Sequence, residues 1–221
     1  MRSIARLFAS CLLCLSLPLA AETLSNLYQV REVVSSQQPG ERDAALSRAL
    51  DTLVLRLTGD PAALQHPAVA ELRKSPQQLI SQYAYQSGPP QVLQVDFDPL
   101  SSEQHLRQAG LPLWGANRPA ILAWWLHNGS DGSSLVGDAQ AGAPLLRVAA
   151  QQRGLPLRLP LADLDEQLLV SPENLSANPP AALLQASTRY GADALLTVQT
   201  READGQWQAQ WQLWLGDSRE Q

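Results

Sequence analysis

Thiols, histidines and glycine-rich loops are scarce in this 221-residue chain, and each scarcity removes a class of chemistry. Both cysteines, Cys11 and Cys14, lie in one apolar run near the start, so cleavage behind that run leaves no thiol and excludes disulfides and cysteine-zinc sites. The three histidines, His66, His105 and His127, are widely spaced and form no i, i+4 pair of the kind that grips zinc from one helix face. No Gly-x-Ser-x-Gly elbow, phosphate loop or dinucleotide-binding glycine fingerprint occurs, so nucleophilic and nucleotide chemistry lose their usual signatures. No cofactor and no metal are expected. Lys74 is the only lysine, an arginine bias that GC-rich coding produces. After Leu19 no apolar run is long enough to span a bilayer, so no transmembrane span is expected beyond the N-terminal segment.

That segment carries Arg2 and Arg6, an apolar run from Leu7 to Leu19, and the small pair Ala20 and Ala21 before Glu22. Charge, apolar core and small residues in this order form a secretory signal peptide, with cleavage expected after Ala20 or Ala21 and a periplasmic mature protein. Cleavage reduces 16 basic residues to 14 against 21 acidic ones and moves the formal charge from −5 to −7. Nucleic acid and anionic lipid headgroups are poor partners for such a surface.

The pattern predicts an α+β or α/β architecture in two small mixed units: signal peptide 1–21, an N-terminal unit 22–112, a linker 113–118, and a C-terminal unit 119–221. In the first unit an extended stretch, Leu24 to Ser35, precedes a helix from Glu41 to Thr58 with Leu46, Leu50, Leu53 and Leu57 on one face and Gly59 behind it. Asp60-Pro61, Ser75-Pro76, Ser171-Pro172 and Asn178-Pro179 each read as a cap followed by a first-turn proline. Tyr83 to Ser87 and Val92 to Phe97 read as a hairpin through Gly88-Pro89-Pro90. Ser101 with Gln104 resembles a capping box for a helix that Gly110 closes.

In the second unit Ala120 to Leu126 is a buried strand, with Trp124 and Trp125 on opposite faces, and Asn128 to Gly142 reads as a mobile loop. A helix from Ala143 to Arg153, a strand from Leu155 to Leu159, a helical patch near Leu161 to Leu169, a helix from Pro180 to Tyr190 and a strand from Ala194 to Thr200 give strand-helix-strand repeats that favour parallel pairing. The unit is expected to end in a C-terminal β-hairpin turned at Asp204-Gly205. Beyond it, Trp207, Ala209, Trp211 and Leu213 alternate with glutamines and are expected to face the core.

Two sets of residues offer candidate sites. Trp114, Asn117 and Arg118 combine an aromatic, a polar side chain and a cation at the junction of the units, a recognition patch in composition; interdomain packing explains the same residues. Asp96, Asp98, His105, Arg118 and His127 supply the groups a hydrolase needs, provided they converge.

Five strings, Leu55-Arg56-Leu57-Thr58-Gly59, Val95-Asp96-Phe97-Asp98, Leu111-Pro112-Leu113-Trp114-Gly115 with Arg118-Pro119, Arg153-Gly154-Leu155-Pro156-Leu157 and Ala186-Ser187-x-Arg189-Tyr190-Gly191, resemble the proteobacterial family catalogued as domain of unknown function 2066. The resemblance implies an exported protein and no catalytic residues. The expected function is a non-enzymatic binding or envelope-assembly module with an envelope protein as partner; the alternative is the hydrolase.

Overall fold

Pro39 and Glu41 open a helix in which leucines recur every three or four positions, and in the computed structural model, which describes residues 22–129, 132–203, 205–216 and 218–220, this is α1 (Pro39–Thr58). The missing N–H of Pro39 has no partner to lose in a first turn, and Glu41 faces the positive end of the helix dipole. Gly59 ends α1 in the left-handed region at φ 70°, its N–H closing onto the oxygen of Leu55. Leu46, Leu50, Leu53 and Leu57 are buried to 1% or less.

They pack on a three-stranded sheet ordered β2 (Gln29–Val33), β4 (Val92–Phe97), β3 (Ile80–Gln86), all antiparallel, with β1 (Glu22–Thr23) preceding it in the chain. The β3–β4 hairpin forms as its alternation predicts, and Leu93, Val95 and Phe97 bury one face. β4 is central because β2 takes its other edge, Val30 opposite Val95. α2 (Pro67–Lys74) and α3 (Pro99–Gln108) complete the unit. α3 begins earlier than Ser101: Asp98 is its cap, accepting from the Ser101 N–H at 2.8 Å, and Pro99 presets the first turn, so the Ser101–Gln104 capping box is not used.

β1 pairs with β5 (Asn117–Arg118) and ties the start of the described chain to the linker. A six-stranded sheet follows, ordered β11 (Ser218–Glu220), β10 (Gln206–Leu215), β9 (Ala194–Ala203), β6 (Ile121–Gly129), β7 (Gly132–Leu135), with β8 (Leu157–Arg158) also on β6. β8 and β9 run parallel to β6, as strand-helix-strand connections favour. α4 (Ala143–Arg153) lies between β7 and β8; α5 (Leu164–Leu169), α6 (Pro172–Ser176) and α7 (Ala181–Ser187) lie between β8 and β9. The mixed α/β class, with seven α-helices among the described residues and a C-terminal hairpin, is as expected.

Three further local expectations change. Residues 128–142 are not all loop: β7 pairs antiparallel with β6 and buries Leu135, because a neighbouring strand supplies the ladder that the Gly- and Ser-rich composition argues against. Asn178-Pro179 does not cap α7, whose cap position is Pro180.

The third change concerns the last hairpin. One sheet face carries Leu122, Trp124, Leu126, Leu195 and Trp214 under α5, α6 and α7. The other carries Ala123 and Leu196 under α4, through Ala143 and Leu146, with Leu159 beside them. Trp207, Ala209, Trp211 and Leu213 belong to this second face, where Leu213 is half-buried but Trp207 is 65% and Trp211 48% exposed. The buried tryptophan of β10 is Trp214, on the opposite face. Strand alternation separates two faces but says nothing about which of them the helices cover.

A candidate binding groove

Arg118 sits at the junction of the units with its side chain fully buried. Nε donates to the oxygen of Gly115 at 3.0 Å; Nη1 to Arg153 and Gly154 at 3.1 and 2.7 Å; Nη2 to Arg56 and Trp114 at 2.6 and 2.9 Å. Every N–H of the guanidinium fork is thereby used, and its Cζ lies over the Trp114 ring, 4.2 Å from the ring centroid. Its acceptors include the last turns of α1 and α4, whose free carbonyls carry the negative ends of the helix dipoles and stand in for a carboxylate. Burial lowers its pKa from the ordinary guanidinium value. Arg56, 3% exposed, donates to Asn26, Leu27 and Gln29, and burial followed by the charge of Arg118 pulls its pKa down to about 10. Asn117 is exposed and accepts from the Thr23 hydroxyl at 3.0 Å. Arg118 has no donor left for a ligand; it clamps the linker to both units.

The hydrolase candidates are engaged apart from one another. Asp96 accepts from Gln29 at 2.8 Å and Gln82 at 2.7 Å on the first sheet, and Asp98 caps α3. His105 Nδ1 bonds the Ser101 oxygen of its own helix at 2.8 Å, and Arg118 is in the clamp. His127 lies on β6 of the second sheet. Among the described residues no group of three or more His, Cys, Asp or Glu is placed to hold a metal ion.

His127 instead marks a groove that the sequence reading missed. On the half-covered sheet face, β6 supplies Trp125 and His127, β9 supplies Thr200, β10 supplies Trp207, and Val136, Gly142, Leu145 and Leu146 close the side toward α4. The volume is about 620 Å³, within the range of ligand pockets, and the walls are mostly apolar. Thr200 organises the floor: its hydroxyl accepts from Trp125 Nε1 at 3.0 Å and lies 3.3 Å from His127 Nδ1. His127 packs against Trp207 with ring centroids 5.3 Å apart. Among the described residues no carboxylate is hydrogen-bonded to the imidazole, so the Thr200–His127 contact lacks the orienting group of a nucleophile–base pair. At the rim Leu145 is 75% exposed, and with Trp207 it leaves apolar surface in water beside an apolar cavity. The sequence signal was present in the alternation of β10, and only its burial was misread.

A family model described as a domain of unknown function (DUF8605) matches residues 21–115. The match takes in the three-stranded sheet with α1, α2 and α3, ends before Arg118, and covers less than half of the chain. It corrects the resemblance to domain of unknown function 2066, since the family model found is a different one. No curated protein and no solved structure matches the chain.

Proposed function

We propose that this is an exported, non-enzymatic binding module of the bacterial envelope whose groove takes the apolar anchor of an envelope protein. One observation carries the reading: an apolar groove of about 620 Å³ opens on the sheet face beside α4, with Leu145 and Trp207 exposed at its rim. Tryptophan beside a pocket is the usual composition of a binding hot spot. Trp125 Nε1, the Thr200 hydroxyl and His127 Nδ1 are engaged with one another on its floor and the walls are mostly apolar, which suits recognition of an apolar side chain better than of a charge. Export rests on the order of charge, apolar run and small residues before Glu22; residues 1–21 lie outside the described part of the chain. No described helix is long and apolar enough to cross a membrane.

The test places a photo-crosslinking side chain at Leu145 and, as a control, at Leu161, which is 64% exposed outside the groove. One discrete adduct from position 145, absent from position 161 and lost with Trp207→Ala, is expected in cell envelopes. Identical adducts from both positions, or none, would overturn the reading. N-terminal sequencing of the periplasmic form is expected to begin at Ala21 or Glu22; recovery of the uncut chain in the cytoplasm would remove the envelope from the proposal.

A further inference from the structure

The outer strand of the second sheet reads Gln206-Trp207-Gln208-Ala209-Gln210-Trp211-Gln212, the same in both directions about Ala209. β11 pairs only with Leu213, Trp214 and Leu215, so the outward edge of Gln206 to Gln212 has no strand beside it among the described residues. From Gln206 to Leu215 there is no charge and no proline, the devices that natural sheets use to blunt an edge. Residues 206–211 are exposed on both faces.

We infer that this edge pairs with the same edge of a second copy of the chain, antiparallel about a twofold axis at Ala209. Antiparallel pairing about any residue places neighbours at equal sequence offsets opposite each other. About Ala209 this sets Trp207 opposite Trp211 of the second copy and Gln208 opposite Gln210, so the palindrome matches aromatic with aromatic and amide with amide. Cross-strand pairs of this kind are what stabilise an antiparallel ladder.

The backbone direction agrees. Gln206 faces Ala203 and Leu215 faces Ser218 across two-position connections, which makes both closing pairs hydrogen-bonded. Alternating inward from each, the even-numbered residues bond to β9 and the odd-numbered ones point outward. The amides of Trp207, Ala209 and Trp211 therefore face the second copy. β11 bounds the register: Glu220 pairs with Leu213, the axis at Ala209 already brings Gly205 of the second copy's turn to that level, and any axis shifted toward Leu213 drives the turn further into β11. The interface is a twofold, self-complementary one that closes at two copies. It does not depend on what fills the groove, although it brings four tryptophans together on the open face.

Sedimentation equilibrium of the full chain tests this with two variants that differ at one position. Gln208→Lys with Gln210→Lys opposes like charges across the axis, and dimerisation is expected to weaken by at least about tenfold. Gln208→Glu with Gln210→Lys sets opposite charges face to face only when the axis is at Ala209, and dimerisation is expected to return to the wild-type level or above it. The second variant controls for folding, since both positions are again replaced. A wild type that stays monomeric up to about 100 μM, or a dimer indifferent to both variants, would overturn the proposal. Failure here leaves the crosslink from Leu145 as a separate question.

Discussion

Nη2 of Arg118 donates to the backbone oxygen of Arg56 at 2.6 Å, so one buried arginine serves the last turn of the helix that carries the other. Two buried cations with no carboxylate between them among the described residues are costly by themselves; carbonyl oxygens take every N–H of Arg118 and hold Arg56 through Nη1. The convergence of α1 and α4 at one guanidinium is what joins the units across the linker.

Arg118→Lys is therefore not conservative. A lysine keeps the charge but is a point donor, and it cannot reach five carbonyls spread around a planar fork. Buried acceptors left unpaired cost roughly 1–3 kcal/mol each, so a loss on the order of 3 kcal/mol is expected for Arg118→Lys and more for Arg118→Met. Urea unfolding measures both; an Arg118→Lys variant within about 0.5 kcal/mol of wild type would show that the fork is not what holds the linker.

Gly154 and Gly59 both close a helix at a positive φ, 63° and 70°, but have different neighbours. A Cβ on Gly154 would stand 2.5 Å from Arg56 Cγ and 2.7 Å from Arg118 Nη1, whereas one on Gly59 meets nothing within 4 Å. Gly59→Ala is expected to cost about 1 kcal/mol, the ordinary penalty of a left-handed alanine. Gly154→Ala adds overpacking against the clamp and is expected to cost about 3 kcal/mol in total. Equal shifts in thermal unfolding would mean that the arginines move aside freely.

Much of this was legible in sequence. The leucine period of α1, the glycines after α1 and α4, and the β3–β4 alternation are local signals, and each element forms, although β3 begins at Ile80, three residues before Tyr83. The resemblance drawn from short strings pointed to the wrong family. The groove was not legible, because it depends on how many helices the connections leave on each side of the second sheet, a property of topology and not of any one strand. Arg118 was legible as unusual but not as a clamp, since its acceptors come from residues as far away as Arg56 and Gly154 and are backbone atoms that no side-chain pattern reveals.

Trp124 and Trp207 separate core from groove. Trp124 is fully buried and donates to the Ser187 hydroxyl at 2.9 Å, so Trp124→Ala leaves a large cavity and is expected to cost about 3–5 kcal/mol. Trp207→Ala removes a side chain that is 65% in water and is expected to cost less than about 1 kcal/mol while abolishing the Leu145 crosslink. Comparable destabilisation by the two would return Trp207 to the core.

Acid should loosen the helices unevenly. Asp163 caps α5, accepting from the Glu166 N–H at 3.0 Å and from Arg189 Nη2 at 2.8 Å, and the backbone bond first, then Arg189, hold its pKa below the usual carboxylate value. Asp98 is lowered in the same way at α3, chiefly by Ser101. A carboxylate whose folded pKa lies below its unfolded one stabilises the fold above the unfolded value, about 3.9, and that contribution is lost as the pH falls through the folded value. α4 has no side-chain cap at its start and supplies the internal control. Hydrogen exchange, corrected for intrinsic rates, is expected to show α5 and α3 losing protection relative to α4 between about pH 5 and 3. Asp163→Asn keeps an acceptor at the cap but cannot gain or lose the charge, and is expected to flatten the response of α5 while leaving that of α3 intact. Parallel loss in α3, α4 and α5 would instead mark a global acid transition in which these caps play no separate part.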